Sequence, residues 1–294
     1  MAANRRKPAR SLVRAFRLVG AAVAGLCLIA IGLALFGLLS ARADPEVRAA
    51  SVELPDWPAG QPPVTAALLS DLHVGNLADD RGRLARVVAQ VNGLGPDLVL
   101  IAGDFAPGHK RRSDARVAAD LAPLAGLKPP LGVVAVLGNH DHWVNPSGVR
   151  AALKRLGVTV LDNQAVARGP LAIGGPDDPV TDHALLGAVV VALRATPGAK
   201  LVLSHTPEVV TVLPPDIHLL LAGHTHCGQI SLLTWERQVL RRPYVRYDCG
   251  LVQDPGRTTV VSAGVGTSVL PLRLGIPPDL WLLTLHGPAM ARRP

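Results

Sequence analysis

The chain is poor in aromatic residues and in cysteine, and each shortage excludes a class of protein. Phe, Tyr and Trp make up 3% of its 294 residues, and the basic residues are not interleaved with them, so we expect no nucleic-acid partner. The three cysteines, Cys27, Cys227 and Cys249, are too few for a disulfide framework. Cys227 and Cys249 can pair if the domain lies outside the cytoplasm, and two unpaired thiols fit the sequence equally well.

The positive charge is concentrated at the start of the chain. The formal net charge is +8, and the first 17 positions contain Arg5, Arg6, Lys7, Arg10, Arg14 and Arg17. The uncharged apolar run 18–39 follows, and it is long enough to cross a bilayer. The positive-inside rule places the N-terminus in the cytoplasm and the main domain outside, as a single-pass protein of the plasma (inner) membrane. Ala41-Arg42-Ala43 also fits a signal-peptide cleavage site, so export after cleavage at Ala43 is the alternative.

These features divide the chain into five segments. We predict a basic cytoplasmic tail (1–17), a transmembrane anchor (18–40), a Pro-rich linker or extended edge segment (41–63), one large domain (64–288) and a basic tail (289–294). Within the domain, short apolar runs at 64–70, 98–102, 133–136, 201–203 and 218–222 alternate with helical patterns at 83–91, 114–124, 146–156 and 184–193. This alternation predicts an α/β fold with a mixed sheet covered by helices, whose late strands at 258–262 and 280–285 are antiparallel.

Each of five predicted strands ends in polar residues of the types that bind metal ions. These residues are Asp71 and His73, Asp104, Asn139 and His140, His205, and His224 and His226. Strand ends of an α/β sheet meet at one edge, so we expect the side chains to converge. Imidazole, carboxylate and amide ligands without thiolate suit Mn²⁺, Fe or Zn²⁺ rather than a structural Cys-zinc site. Two ions that share a carboxylate would use all these ligands. Such a pair of ions would bind both the attacking and the leaving oxygen of a displacement at phosphorus.

The motifs at these strand ends resemble those of the calcineurin-like metallophosphoesterases. In order and spacing they are Asp71-x-His73, Gly103-Asp104, Gly138-Asn139-His140-Asp141, Ser204-His205 and Gly223-His224-x-His226, and the resemblance covers residues 64–288. The late Gly264-Val265-Gly266-Thr267-Ser268 and Pro271-Leu272-Arg273 are similar to the bacterial membrane-anchored phosphodiesterase branch. Cys227 departs from the Gly common in relatives, and its thiol would lie beside the metals and make the enzyme sensitive to oxidation.

The resemblance implies a four-layer αββα sandwich of two mixed sheets and two divalent ions per chain. One ion would be held by Asp71, His73, Asp104 and His226, and the other by Asp104, Asn139, His205 and His224. A hydroxide shared by the ions would attack phosphorus, and His140 would protonate the leaving oxygen. Asp141 would orient His140, and Gly138 would allow a tight turn. His142 and Trp143 are predicted to contact the substrate.

The expected function is metal-dependent hydrolysis of a phosphodiester or pyrophosphate, and the anchor favours a lipid-linked one. The alternatives are a phosphomonoesterase and a catalytically weak membrane-bound binding module of the same fold. Relatives include hydrolases of the UDP-2,3-diacylglucosamine type, which act on the cytoplasmic side, opposite to the side that the charge bias indicates. The basic run His109-Lys110-Arg111-Arg112 can attract an anionic substrate or phospholipid surface, and a solvated loop is the simpler interpretation.

Overall fold

The computed structural model describes residues 7–231 and 245–288. Arg5, Arg6 and the predicted tail 289–294 lie outside the described residues. The helices are α1 (Lys7–Arg42), α2 (Arg81–Leu94), α3 (Asp114–Leu121), α4 (Asn139–Val144), α5 (Pro146–Arg155) and α6 (Leu186–Ala195). The strands are β1 (Glu46–Glu53), β2 (Val64–Leu69), β3 (Leu98–Ala102), β4 (Val133–Val136), β5 (Val158–Val160), β6 (Gln164–Arg168), β7 (Leu171–Gly175), β8 (Ala199–Leu203), β9 (Leu219–Ala222), β10 (Gly250–Asp254), β11 (Arg257–Val261) and β12 (Asp279–His286).

The strands form two sheets that pack face to face. The strand order is β1-β12-β2-β3-β4-β5 in the first sheet and β10-β11-β9-β8-β7-β6 in the second. Apolar side chains from both sheets, including Leu68, Leu100, Leu201 and Leu221, fill the space between them. The outer face of the first sheet packs against α2, α3 and α5, and that of the second packs against α6. These four layers confirm the predicted αββα sandwich of two mixed sheets.

The central strands explain why polar residues collect at one edge. Every residue of β3, β4 and β9 is buried, as is typical of parallel strands that are covered on both faces. Strands β2, β3 and β4 run parallel in the first sheet, and β8 and β9 run parallel in the second. Their carboxyl ends therefore point to the same edge of each sheet, where ligands bind in α/β folds.

The edges of the sheets differ in part from the prediction. Residues 46–53, for which a linker or an edge segment was open, form the edge strand β1, which is parallel to β12. The late strands are antiparallel in two pairings, β11 with β10 and β12 with β2. The antiparallel prediction is wrong for β11 with β9, which are parallel. The reason is the tight hairpin between β10 and β11, which reverses the chain and returns β11 to the direction of β9.

Helix α1 continues from the predicted anchor into the domain without a break. Among the described residues, this helix is long and apolar enough to cross a membrane. Several contacts fix its C-terminal end to the domain. The backbone N–H of Arg273 donates to the carbonyl oxygen of Gly37 at 2.9 Å, and the Arg42 guanidinium pairs with Asp80 at 2.9 Å.

Candidate metal centre

Five strand ends bring their polar side chains together between the two sheets. The first sheet contributes the residues that follow β2, β3 and β4, and the second contributes those that follow β8 and β9. The members are Asp71, His73, Asp104, Asn139, His140, His205, His224 and His226, all of them buried except the half-buried His224. A buried cluster of this polarity costs free energy unless its charges and lone pairs are matched.

Asp104 lies in the middle of the cluster. Its Oδ2 atom is 3.5 Å from Nε2 of His73 and 3.3 Å from Nε2 of His205. Its Oδ1 atom accepts a hydrogen bond from the backbone N–H of His140 at 2.9 Å. The carboxylate therefore stands between two groups of ligand-type atoms, one on the His73 side and one on the His205 side.

The group on the His73 side contains Asp71, His73 and His226. The Nε2 atoms of His73 and His226 are 3.2 Å apart, and Nε2 of His226 is 3.4 Å from Oδ1 of Asp71. These three side chains are close enough to share one cation. The backbone N–H of His224 donates to both carboxylate oxygens of Asp71, at 3.2 and 3.0 Å, so the carboxylate is held in place.

The group on the other side surrounds His205. Its Nε2 atom is 2.9 Å from Oδ1 of Asn139 and 3.2 Å from Nδ1 of His224. His205 can also share a cation with Asp71 and Asp104. Because both groups meet at Asp104, this carboxylate is in the position that a bridging ligand between two ions would occupy.

The hydrogen bonds of the imidazoles leave lone pairs directed into the cluster. Nδ1 of His73 lies 3.2 Å from the carbonyl oxygen of Ala106, and Nδ1 of His205 lies 2.8 Å from that of Ala102. Each Nδ1 therefore carries a proton and donates it, so in the neutral ring Nε2 is an acceptor. In His205, Nε2 faces the Asn139 oxygen, and this contact is favourable when a proton or a metal cation lies between the two atoms. The donor set fits divalent cations, and carbonyls behind metal-ligating imidazoles are their usual support.

Burial and neighbouring charges set the pKa values in the cluster. Burial lowers the pKa of His73 and, strongly, that of His226, so both rings are neutral at pH 7, as metal ligands must be. Burial opposes a charge on His205 as well, but the carboxylates of Asp104 and Asp71 raise its pKa to about 10. A positive charge beside Asp104 thus stabilises its buried carboxylate, and in a metal centre a divalent cation supplies that charge.

The backbone at the centre is strained. Left-handed φ angles occur at Asp71 (52°), His73 (44°), Asp104 (55°), His224 (71°) and His226 (49°). For a residue other than glycine, this conformation costs about 1–3 kcal/mol and persists only where the surrounding structure enforces it. Such residues cluster at functional sites, so the strain supports a functional role for these strand ends.

His140 lies at the rim of the cluster with its ring held from two sides. Nδ1 donates to the carbonyl oxygen of Gly108 at 2.8 Å, and Nε2 is 3.3 Å from Oγ of Ser268. By distance alone, His140 can share a cation with His73 and Asp104, whereas the motif resemblance makes it a proton donor. The hydrogen bond to Gly108 occupies Nδ1, so Nε2 is the atom that can exchange a proton with a substrate.

Asp141 supports the turn before His140 instead of its ring. The carboxylate accepts hydrogen bonds from the backbone N–H groups of Ala106 at 2.9 Å and Gly138 at 3.1 Å. Asp141 therefore supports His140 through the backbone at the start of α4, and its predicted orienting role stays a prediction. Asp141 is the third residue of α4, and an acidic side chain there reaches back to the residue that caps the helix. Burial, followed by the charge of Asp104, raises the pKa of Asp141 to about 7.

Gly138 is required for space and not for its backbone angles. Its φ of −118° and ψ of 178° are extended values that any residue adopts. A Cβ atom at this position would overlap the carboxylate of Asp104 and would lie 2.8 Å from Cε1 of His205. Gly138 lies where the chain turns from β4 into α4, and the absence of a side chain lets this turn approach Asp104 and His205 closely.

Of the two predicted substrate contacts, Trp143 lies beside the site and His142 points elsewhere. The Trp143 indole is 39% exposed, and its ring is 4.9 Å from that of His140 and 4.6 Å from that of His109. Nε2 of His142 instead lies 2.9 Å from Oδ1 of Asp177 in a buried pair. Two residues along a helix point to different faces, so His142 cannot face the same way as His140.

Cys227 and Cys249 form a disulfide bond. Of the two alternatives that the sequence leaves open, the structure contains the paired one. The predicted free thiol beside the metals is therefore wrong. The bond ties the residue that follows His226 to the segment leading into β10.

Sequence reasoning did not find the buried arginine behind the centre. Arg273 is fully buried and donates to the carbonyl oxygens of Ala263, Gly264 and Gly266 at 2.7, 2.9 and 2.6 Å. The backbone N–H of Gly266 in turn donates to the carbonyl oxygen of Asp71 at 2.7 Å. Burial lowers the pKa of Arg273 to about 10, so the guanidinium is charged at pH 7. Arg273 positions the backbone beneath Asp71, and its signal in the sequence is the Pro-Leu-Arg motif of the family branch.

Comparison with known proteins places the chain among phosphoesterases. A family described as calcineurin-like phosphoesterase matches residues 64–228. A transmembrane protein with a metallophosphoesterase domain from Danio rerio is 32% identical over 260 residues, which cover 82% of this chain and 57% of that protein. An uncharacterized metallophosphoesterase from Aquifex aeolicus is 32% identical over 228 residues, which cover 74% of this chain and 83% of that protein. Among solved structures, a dimetal phosphatase from Danio rerio is similar with a TM-score of 0.46 and 17% identity, over 69% of this chain and 88% of that one.

The matched range contains all five strand-end motifs. The chain spans little more than half the length of the Danio rerio transmembrane relative, whereas the family match covers more than half of this chain. The chain belongs to the calcineurin-like phosphoesterase family.

Proposed function

We propose that the chain is a dinuclear metal-dependent hydrolase that cleaves a phosphodiester or pyrophosphate bond at a membrane surface. Family membership supports phosphoester hydrolysis. One observation carries the dinuclear part of the proposal: Oδ2 of Asp104 is 3.5 Å from the imidazole of one ligand group and 3.3 Å from that of the other. A single carboxylate between two sets of inward lone pairs is suited to two cations.

Each ion is held by one of the two ligand groups, and Asp104 belongs to both groups. Asp71, His73, Asp104 and His226 hold one ion, and Asp104, Asn139, His205 and His224 hold the other. Mn²⁺, Fe and Zn²⁺ suit this mixture of nitrogen and oxygen donors. When bound, two such ions supply Lewis-acid stabilisation of the phosphoryl oxygens and activation of water. The chain contributes the fixed orientation of each ligand, through the carbonyls behind His73 and His205.

His140 acts as the catalytic acid. Its Nδ1–H bond to Gly108 fixes the ring at 2.8 Å and leaves Nε2 for the reaction. In the imidazolium form, Nε2–H donates its proton to the leaving oxygen of the substrate. Trp143 packs edge-on against the ring and shields one side of it from water, which strengthens a charged hydrogen bond at Nε2. Asp141 is a positioning residue that holds the start of α4.

The domain lies on the extracytoplasmic side of the membrane in this proposal. Two independent observations support that side. The basic residues before the apolar run favour a cytoplasmic N-terminus, and the Cys227–Cys249 disulfide is a bond that forms and persists in oxidising compartments. The apolar helix and the transmembrane relative support anchoring itself.

The substrate is a phosphodiester or pyrophosphate that is linked to a lipid. The anchor keeps the centre near lipid headgroups, so such a substrate reaches it at high local concentration. A UDP-2,3-diacylglucosamine-like pyrophosphate has the required chemistry but is hydrolysed on the cytoplasmic side. The disulfide therefore favours another lipid-linked substrate.

The proposal is tested with the full-length chain purified in detergent and supplied with Mn²⁺. We expect hydrolysis of bis-p-nitrophenyl phosphate, and we expect His140→Ala to lower the rate by about 10²–10³. His218→Ala is the matched control, because this histidine precedes β9, at the opposite end of that strand from the centre. No hydrolysis by the metal-loaded wild type, or equal rates in wild type and His140→Ala, contradicts the proposal.

The same assay separates the two alternatives. A phosphomonoesterase would hydrolyse p-nitrophenyl phosphate faster than the diester. A binding module of the same fold would retain its ions and turn over neither compound.

A further inference from the structure

A cavity of ≈ 460 Å³ lies beside His140 and is not used by the ligand groups. Its walls come from three segments, residues 76–77, 107–112 and 267–271. The cavity adjoins the catalytic acid on two sides. Gly108 in its wall accepts the Nδ1–H bond of His140, and Ser268, next to the wall residue Thr267, lies 3.3 Å from Nε2. One wall of the cavity is therefore in direct contact with the ring of the catalytic acid.

The mouth of the cavity carries exposed apolar side chains. Leu77 is 65% exposed, Leu270 is 50% exposed and Val269 is 88% exposed. Val269 is the most exposed large apolar side chain among those described. Single apolar residues on a surface are normal, but three around one cavity form a patch of the kind that marks a binding surface.

Backbone contacts hold the tip of this patch in its exposed conformation. Val269 has a left-handed φ of 58°, which is a costly angle for a β-branched residue. The side chain of Gln229 binds both flanking residues. It accepts from the backbone N–H of Ser268 at 2.9 Å and donates to the carbonyl oxygens of Ser268 and Leu270 at 3.1 and 2.9 Å. The loop is thus built to present Val269 outward.

The patch is joined to the end of the membrane-spanning helix. At 1.5 Å per residue, the apolar run 18–39 extends about 30 Å, which matches the hydrocarbon thickness of a bilayer. Gly37 lies near the end of that run, and its carbonyl oxygen accepts from the backbone N–H of Arg273. On the other side of the mouth, Arg42 at the end of α1 donates to the carbonyl oxygen of Leu77 at 2.6 Å. Both apolar loops are therefore tied to residues at the membrane boundary.

The remaining wall of the cavity has the charge that a membrane surface favours. Lys110 lines the cavity and is exposed, as is the neighbouring Arg111. Basic side chains at a membrane surface attract anionic phospholipid headgroups. Apolar residues on one wall and basic residues on the other match the chain and the headgroup of a phospholipid.

We propose that Leu77, Val269 and Leu270 insert into the membrane interface, so that the cavity beside His140 opens to the bilayer and receives the lipid part of the substrate. This inference rests on the proposed function and adds the route by which the substrate arrives. The occupant of the patch is the phospholipid bilayer. Lys110 then lies at headgroup level, and the phosphoryl group passes from there to the metal centre.

The insertion is tested with spin labels on the full-length chain in nanodiscs of phosphatidylcholine and phosphatidylglycerol. Labels are placed by Leu77→Cys, Val269→Cys and Leu270→Cys in a Cys27→Ala background, with the disulfide intact. Val191→Cys and Val212→Cys are matched controls, because these side chains are equally apolar and are exposed on the outer layer of the second sheet. We expect the three patch labels to be accessible to oxygen, which dissolves in the bilayer. We expect a water-soluble nickel complex to affect the patch labels several-fold less than it affects the control labels.

Two results would contradict the insertion of the patch into the membrane. If the patch labels respond to oxygen and nickel in the same way as the control labels, the patch lies in water. Patch labels that are shielded from both reagents and broadened by mutual interaction lie against a second copy of the chain. Neither result depends on catalysis, so the proposed function can stand while this inference fails.

A second measurement compares two substrates of one enzyme. The p-nitrophenyl ester of phosphatidic acid in vesicles of the same lipids is the membrane probe, and bis-p-nitrophenyl phosphate is the soluble probe. We expect Val269→Asp with Leu270→Asp to lower the ratio of membrane to soluble hydrolysis several-fold, whereas Val191→Asp keeps it. An unchanged ratio, or a wild type that hydrolyses the soluble probe alone, overturns entry from the bilayer. A wild type that hydrolyses neither probe contradicts the proposed function, while the label experiment still decides insertion.

Discussion

The metal centre and the segment behind it, residues 263–274, are both buried and polar, but their polar groups are matched differently. In the centre, Nε2 of His205 faces the Asn139 oxygen at 2.9 Å, and Asp104 lies between two imidazoles. In the supporting segment, Arg273 donates to three carbonyl oxygens, and Asp79 accepts from the backbone and the hydroxyl of Thr267 at 3.0 and 2.9 Å. The first region gathers ligand-type atoms that cations can share, whereas the second pairs buried carbonyl and carboxylate oxygens with donors of the chain.

This difference separates catalysis from stability within one buried volume. A change in the centre removes a ligand and should lower activity more than it lowers the free energy of unfolding. A change in the supporting segment leaves buried carbonyls without donors and should do the reverse. The following variants test this difference.

The largest effect is expected for Asp104→Asn. This substitution removes the carboxylate that both ligand groups share, and we expect kcat/KM to fall roughly a thousandfold, which is about 4 kcal/mol of transition-state stabilisation. Steady-state kinetics with Mn²⁺ measure the loss, and Asp216→Asn, at an exposed pair with Arg194, is the control. A loss of tenfold or less would show that Asp104 does not serve both groups.

Arg273→Met should destabilise the fold more than any single change in the centre. The substitution keeps the apolar length of the side chain but leaves the buried carbonyl oxygens of Ala263 and Gly266 without a donor, so we expect a loss of about 4 kcal/mol in the free energy of unfolding. Urea denaturation in detergent with a metal chelator measures it. Arg194→Met, at an exposed ion pair, should leave stability nearly unchanged. Equal effects of the two substitutions would contradict the supporting role.

Removal of the disulfide should have a somewhat smaller effect. Cys227→Ser with Cys249→Ser opens a covalent loop with a sequence separation of 22 residues, and we expect a loss of about 3 kcal/mol. Cys27→Ser is the control, because Cys27 is a free cysteine on the exposed surface of α1. Thiol titration of the unfolded wild type, without reductant, should find only the Cys27 thiol. Three titratable thiols would contradict the bond and with it the oxidising compartment.

The smallest effect is a change in the pH dependence of stability. Burial raises the pKa of Asp141 from 3.8 to about 7, so folding favours the protonated carboxyl. Its contribution to stability is complete below about pH 4 and is lost as the pH rises through about 7. The chelator-treated chain should therefore lose stability between about pH 5 and pH 7, with a smaller slope in Asp141→Asn. Asp216→Asn is expected to keep the wild-type slope, because Arg194 lowers the pKa of Asp216. Equal slopes in the wild type and both variants would rule out the raised pKa of Asp141.

Features that depend on residues close together in the sequence could be predicted, whereas features that depend on contacts between distant residues could not. Asp71 with His73, and His224 with His226, stand close together after buried strands, so a local pattern and the direction of the strands suffice to bring them to one edge. Arg273 acts on carbonyls near Gly264 and, through Gly266, on the strand end at Asp71. Neither of these pairings is visible in any local pattern.

The support of His140 also depends on contacts that a local pattern does not show. The sequence predicts that Asp141 orients His140, and in the structure its place in the first turn of α4 directs the carboxylate to the backbone of Gly138. The requirement for glycine at position 138 comes from Asp104 and His205, which approach from two other strands. Contacts of this kind depend on how the two sheets face each other, and the sequence of one segment does not contain that information.

The metal content of the full-length chain tests the central claim most directly. The chain is purified with Mn²⁺ present, freed of loosely bound ions and measured by elemental analysis beside Asp104→Asn. The shared position of Asp104 between the two ligand groups predicts two ions per wild-type chain and a loss of ions from the variant. One ion or none in the wild type, or two in the variant, would contradict a dinuclear centre bridged by Asp104.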